Sequence, residues 1–335
     1  MKTAKFHQYI LNFKQPSGTS RGVLNTKETY FIEIFEDDKK GIGECSLFRG
    51  LSFDDDDDYE DALEWACRNI NLKLEELQEE LINHPSIIFG IEQALLNLEH
   101  QGDLYFPSDF TDGKDSIKIN GLIWMGDSDF MQSQIEEKLE NDFTCIKLKI
   151  GTDWDSEKEI LKSLRQKFPK DKIELRVDAN GAFSLEQAKV VLQELADLDI
   201  HSIEQPIEAG NWEAMAELCK NTPTPIALDE ELIGVLNFES KKDLLQEINP
   251  QYIILKPSLI GGFSGTDEWI NLAEKNNTGW WITSALESNI GLNAIAQYTY
   301  TKKNPMPQGL GTGGLFTNNF ETPLYLKGEN LWFEN

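Results

Sequence analysis

The chain has 335 residues and a formal net charge of -27, from 31 basic and 58 acidic side chains, and 40% of it is hydrophobic. That balance argues against nucleic acid and anionic membrane surfaces as partners, while the apolar content suffices for a large α/β domain with a smaller companion. Four dispersed cysteines with no CxxC pair, and no apolar run long enough for a signal or membrane segment, predict a soluble cytoplasmic protein.

Residues 1–105 read as an α+β cap. "KFHQYILNF" and "TKETYFIEIFED" have strand composition. Between them, Gly18, Gly22 and small polar residues in 15–22 mark a hairpin loop. The run "DDDDD" at 54–58 precedes helical spacing over about 59–82. It is expected to be a solvated helix start, with charges that suit the helix macrodipole, rather than a metal site. A second helix is expected at about 86–100.

From residue 116 a pattern recurs. Short β-rich runs begin at 116, 145, 173, 200, 225, 252, 280 and 307, spaced 25 to 29 residues apart, with helical segments in most gaps. "SLEQAKVVLQELADL" opens on a capping box of Ser184 and Gln187, and "DSEKEILKSLRQKF" has the same form with Ser156 and Glu159. Eight such units predict a closed parallel barrel over 106–315. An open dinucleotide-binding sheet would carry GxGxxG after its first strand, and none is present. The last gap, "GLNAIAQYTYTKKNPM", is short for a full helix and crossover. Residues 316–335 fall outside the eight-unit count and are expected to return to the cap.

Each barrel strand carries its unusual residues at the C-terminal end. Lys147 and Lys149 end strand two, Asp178 and Asn180 strand three, Glu204 strand four, Asp229 and Glu230 strand five, and Lys256 strand six. Pro206 and Pro257 mark where ladder pairing stops. A lone carboxylate at a strand end is more often a cap for backbone N–H groups, and a lone strand lysine is usually a solvated head on a buried stem. Five successive strands with such ends make coincidence a poor account. In a barrel these ends converge on one mouth. Three carboxylates there would repel unless a hard divalent cation such as Mg²⁺ joined them, with a substrate completing its octahedron.

The stretches "IKLKIG", "RVDANGAF", "IEQPI", "ALDEEL" and "ILKPSLIGG" resemble the enolase superfamily, in its muconate lactonizing enzyme subgroup, and the likeness runs over nearly the whole chain. The resemblance implies a modified (β/α)7β TIM-like barrel with an α+β capping domain. It implies Mg²⁺, with Mn²⁺ able to substitute, held by Asp178, Glu204 and Asp229. Lys149 would be the acid/base on one substrate face and Lys256 would stand on the other. Lys147 would assist Lys149 through its charge, and Asn180 and Glu230 would support the site from behind. Arg21, Thr283, Ser284 and Gly311 would touch the substrate, and the 15–22 loop would close over the mouth. A base must be neutral, and cations crowded around Lys149 disfavour its ammonium form.

Strand seven, "ITSALESNIGL", and strand eight, "QGLGTGGLF", are similar to the o-succinylbenzoate synthase family. That likeness implies a lyase acting on a small-molecule carboxylate: Mg-dependent syn dehydration of a cyclohexadiene carboxylate (SHCHC), through an enediolate, in menaquinone biosynthesis. N-acylamino acid racemase and dipeptide epimerase of the same subgroup are the alternatives. Epimerases that read a free amino terminus usually place D-x-D near strand eight, where "GLGTGG" has none. A Schiff-base barrel aldolase, a different class, would use the strand-six lysine but would not need three carboxylates. Nothing in the sequence sets the oligomeric state.

Overall fold

The computed structural model describes residues 1–19, 22–124 and 128–334. Three antiparallel strands, β1 (Thr3–Thr19), β2 (Gly22–Glu36) and β3 (Lys39–Cys45), form one sheet in that order. Strand alternation puts Tyr30, Ile32 and Ile34 on one face. They share a core with α1 (Tyr59–Arg68), α2 (Leu74–Glu80) and α3 (Pro85–His100). Helix α3 can lie directly on β3 because Gly43 has no side chain: a Cβ there would stand 1.9 Å from the Gly90 carbonyl oxygen. The segment read as a loop at 15–22 is largely strand, with a register shift between Asn12 and Ser17. Ser20 and Arg21 lie outside the described residues.

The acidic run departs from its expected role. Asp54 is fully buried and accepts hydrogen bonds from Ser86 N (2.9 Å) and Ser86 Oγ (2.6 Å) in the first turn of α3. Burial pushes its carboxyl up to about 6. Asp55 accepts from Arg49 and from Gly50 N. The run is thus partly a buried brace for α3, and the charge density that suggested solvation hides one desolvated member.

Past the cap come β4 (Ile117–Lys118), β5 (Gly121–Ile123), α4 (Ser128–Glu140), β6 (Cys145–Lys149), α5 (Trp154–Lys167), β7 (Glu174–Asp178), α6 (Leu185–Asp197) and β8 (Ser202–Glu204). The alternation continues through α7 (Trp212–Asn221), β9 (Ile226–Leu228), α8 (Phe238–Ile248), β10 (Tyr252–Leu255), α9 (Gly262–Lys275), β11 (Gly279–Ile282) and α10 (Asn289–Thr301). Strands β5 to β11 form one parallel sheet in sequence order. The eighth position closes it irregularly: Gln308 bridges Ile119, and Gly309 bridges Thr283. Asn120 N donates to Gln308 O, and Gly309 N to Ile282 O. The capping box of α6 forms at Ser184 and Gln187. For α5 the cap is Asp153, which accepts from Ser156 N, so Ser156 is the donor and not the cap. The last gap holds a full helix of 13 residues, α10, longer than its sequence suggested.

After the barrel the chain touches both parts. Phe316 bridges Phe13, and Thr317 N donates to Asn12 O on β1. The hairpin of β12 (Leu324–Lys327) and β13 (Asn330–Phe333) then pairs with β4. Two buried cap carboxylates fasten the cap to barrel helices. Glu92 on α3 accepts Phe263 N and Ser264 N at the start of α9. Glu44 on β3 accepts Ser288 N (3.0 Å), Ser288 Oγ (2.6 Å) and Gly291 N (3.1 Å) at the start of α10. Helix N-termini present unpaired N–H groups, so anions are well placed there. Among the described residues no helix is long and apolar enough to cross a membrane.

Candidate active site

Register explains why the strand ends meet. Lys149 pairs with Asp178, and Asp178 with Glu204, so three charged residues stand abreast on β6, β7 and β8. Lys147 lies two residues earlier on the same face as Lys149. Asp229 follows β9 and Lys256 follows β10.

The lysines and carboxylates are interleaved. Lys149 Nζ donates to Asp178 Oδ2 (2.9 Å) and to Asn180 Oδ1 (2.6 Å). Asn180 Nδ2 in turn donates to Glu230 Oε1 (3.0 Å), which fixes the amide's orientation. Lys147 Nζ donates to Glu204 Oε2 at 2.6 Å and lies 3.5 Å from Asp178 Oδ2. Lys256 Nζ donates to Asp229 Oδ2 and stands 3.9 Å from Glu204 Oε1. All three metal-ligand candidates are buried.

Each titration follows from that pairing. Burial alone would raise Asp178, but the charges of Lys149, Lys147 and Lys256 outweigh it and hold the carboxyl well below its ordinary range. Asp229 goes the other way: burial, with Glu230 and Glu204 nearby, overrides Lys256 and lifts it well above. Burial opposes the charge on Lys147 and Lys256, yet facing carboxylates keep both above the usual lysine value. Lys149, expected to be crowded by cations, instead leans on a carboxylate, that of Asp178.

Among the described residues no three acidic, histidine or cysteine side chains are already gathered as a metal site, since each carboxylate leans on a lysine. The donor set nevertheless fits a hard cation. It is all carboxylate oxygen, and Glu204 Oε1 is buried with no hydrogen-bond donor.

Above the charged floor is a cavity that opens to solvent. Lys147, Lys149, Asp178, Asn180, Glu230 and Lys256 line one side, and Thr283, Ser284, Gly309 and Gly311 another. Of the expected substrate contacts, Thr283, Ser284 and Gly311 therefore face the cavity, whereas Arg21 lies outside the described residues. Thr283 Oγ1 is buried without a partner, while Ser284 Oγ is paired with Thr312 Oγ1 at 2.7 Å. Phe48 and Leu51 from the cap, and Leu122, Trp124 and Leu286 from the barrel, supply an apolar wall that sequence reasoning missed. Such a cavity suits a ligand with one carboxylate end and an apolar ring.

Residues 131–323 match the family model described as Enolase C-terminal domain-like, and residues 1–98 match that described as MenC, N-terminal domain. An o-succinylbenzoate synthase of Desulfotalea psychrophila is 45% identical, with 95% of each chain covered. An N-succinylamino acid racemase of Amycolatopsis is 25% identical over 94% of this chain and 88% of its own. The crystal structure of MenC from Desulfotalea psychrophila superposes with a TM-score of 0.88 at 41% identity, covering 99% of both chains.

Proposed function

This chain belongs to the enolase superfamily, where its function is that of an o-succinylbenzoate synthase, a lyase, and we propose that the residues ringed at the barrel mouth carry the reaction. The observation that supports this assignment is the row of Lys149, Asp178 and Glu204 abreast on adjacent strands, with Lys256 facing them across Glu204 and Asp229.

Members of the superfamily bind Mg²⁺. In this chain Asp178, Glu204 and Asp229 would hold Mg²⁺, or Mn²⁺ in its place, and the bound cation would act as the Lewis acid that stabilises charge developing on the substrate carboxylate. Lys149 removes the α-proton of SHCHC and returns it to the hydroxyl departing from the same face. One C–H and one C–O bond break, a C=C bond forms, and water leaves. Lys256 stands beside the enediolate as a cation. Lys147 holds Glu204 in place and adds positive charge next to Lys149. Asn180, itself oriented by Glu230, aims Lys149. Thr283, Ser284 and Gly311, which line the cavity, and Arg21, which lies outside the described residues, would contact the substrate. We divide the chain into a cap over 1–105 and a barrel over 106–315; of 316–335, expected to return to the cap, Phe316 and Thr317 meet β1 while the final hairpin pairs with β4, and four free thiols suit a reducing cytoplasm.

The racemase reading stays testable because it needs acid/base lysines on both faces, whereas syn dehydration needs one. SHCHC dehydration and N-succinylamino acid racemisation are assayed in wild type, Lys149→Ala and Lys256→Arg. Lys149→Ala should lose roughly 10²–10⁴-fold in dehydration, and Lys256→Arg should keep part of it while ending racemisation. Wild-type turnover by Lys149→Ala would refute the base assignment. A wild type that racemises well but dehydrates poorly would favour the racemase.

A further inference from the structure

Lys27, on β2 of the cap, is a buried lysine apart from the three that line the cavity. Its side chain is 4% exposed. Nζ donates to Ser46 Oγ at 2.7 Å and lies 3.9 Å from Glu44 Oε1. Glu287, wholly buried, adjoins Glu44: a Cβ built on Gly291 would stand 2.7 Å from Glu44 Oε2 and 2.8 Å from Glu287 Cβ. Burial opposes the Lys27 ammonium and holds it below the usual lysine value, and the carboxylates of Glu44 and Glu287 offset that cost only in part.

Its neighbours adjoin, along the chain, two different walls of the cavity. Ser46 precedes Phe48 by two residues, and Phe48 with Leu51 forms the cap's wall. Glu287 directly follows Thr283–Leu286, which form the barrel's wall. Glu287 accepts Ala285 N and Ser258 Oγ at 2.6 Å each, and Ser258 lies two residues past Lys256. Glu44 meets Ser288, the next residue along. One ammonium therefore sits where a cap segment and a barrel segment approach with two like-charged carboxylates between them. Leu286 packs at the same seam against Leu11, Phe13 and Phe316.

We propose that Lys27 is a positioning residue: its charge holds Glu44 and Glu287 together at the seam, and so sets the spacing between the Phe48 wall and the Leu286 wall of the cavity. The inference rests on the dehydration reading for which substrate occupies that space. Lys27 touches no reacting atom. Because both walls grip the non-reacting part of the substrate, misplacing them weakens ground state and transition state alike, which appears in KM more than in kcat.

The test is steady-state kinetics on purified full-length protein with SHCHC. Lys27→Met keeps the volume and removes the charge. KM should rise about tenfold, with kcat changed by less than about threefold. The same change made in a Glu287→Gln protein should raise KM only about twofold, because one of the charges Lys27 offsets is gone. Equal rises in both backgrounds would mean that Lys27 acts by packing alone and would overturn the proposal, as would an unaltered KM in Lys27→Met. If Lys27→Met does not fold, Ser46→Ala decides: it loses only the tie to the Phe48 segment. It should raise KM about threefold and lower the unfolding midpoint, because the buried ammonium loses its nearest acceptor, and an unchanged KM would overturn the proposal. Wild type is measured alongside. If it fails to dehydrate SHCHC, the dehydration reading falls, and the KM comparison is made on the N-succinylamino acid that it then turns over.

Discussion

Replacing Glu92 by Gln should flatten the pH dependence of stability. Glu92 is buried on α3, accepts Phe263 N and Ser264 N at the start of α9, and takes Gln78 Nε2 at 2.9 Å. Burial dominates those bonds and pushes its carboxyl up to about 7, against 4.5 for the free group. Between these values the folded protein retains a proton that the unfolded chain has lost. Stability from this group is therefore complete below about 4.5 and declines as pH rises through about 7. At 1.36 kcal/mol for each pH unit of the gap, the decline is roughly 3 kcal/mol. Gln cannot titrate. Urea unfolding of both proteins, followed by far-UV circular dichroism at pH near 5 and near 8, gives the difference from midpoints and slopes. Wild type should lose roughly 3 kcal/mol more than Glu92→Gln across that interval. Parallel losses in the two proteins would refute the argument that this carboxyl is desolvated at the seam.

Chelation with EDTA should abolish activity, and Mg²⁺ or Mn²⁺ should restore it. Asp229→Asn should bind Mg²⁺ more weakly in calorimetry while keeping the wild-type circular dichroism spectrum, and full activity in metal-free buffer would contradict the ligand assignment. Gly43→Ala should destabilise the cap by about 3 kcal/mol or more in urea unfolding, because its Cβ would meet the Gly90 carbonyl at 1.9 Å. Thr283→Val should raise KM for SHCHC by up to about tenfold, the worth of one hydrogen bond to substrate, since Thr283 Oγ1 is a buried hydroxyl with no protein partner.

Much of the site was legible because strand geometry is simple. Two residues of spacing place Lys147 and Lys149 on one face, and a parallel barrel brings successive strand ends to one rim. The apolar wall was not legible. Phe48, Leu51 and Trp124 are remote in sequence from the charged ends, and nothing in their surroundings separates a cavity wall from ordinary core. Asp54 misled because its four neighbours made the run look solvated, while the decisive partner, Ser86, is 32 residues away. Glu44 and Glu92 drew no notice for the same reason: their worth comes from α10 and α9, which only the folded chain brings to them. Helix α10 looked short because its end runs into "KKNP", which reads as a connection rather than a final turn.

The irregular closure at the eighth barrel position bears on how such a scaffold can diverge. Gln308 does part of the work that a ladder would otherwise share out: its side-chain oxygen accepts Ile282 N at 2.8 Å, and its amide donates to Met306 O at 2.6 Å. The residues just beyond, Gly309, Gly311 and Thr312, line the cavity yet belong to no continuous ladder. Exchanging a glycine such as Gly311 there for a charged or bulkier residue would redraw the substrate space at little cost to the sheet, since a Cβ at Gly311 meets nothing nearer than 3.7 Å. Lineages that share this barrel can therefore drift toward new substrates through that short stretch while the lysines and carboxylates opposite stay as they are.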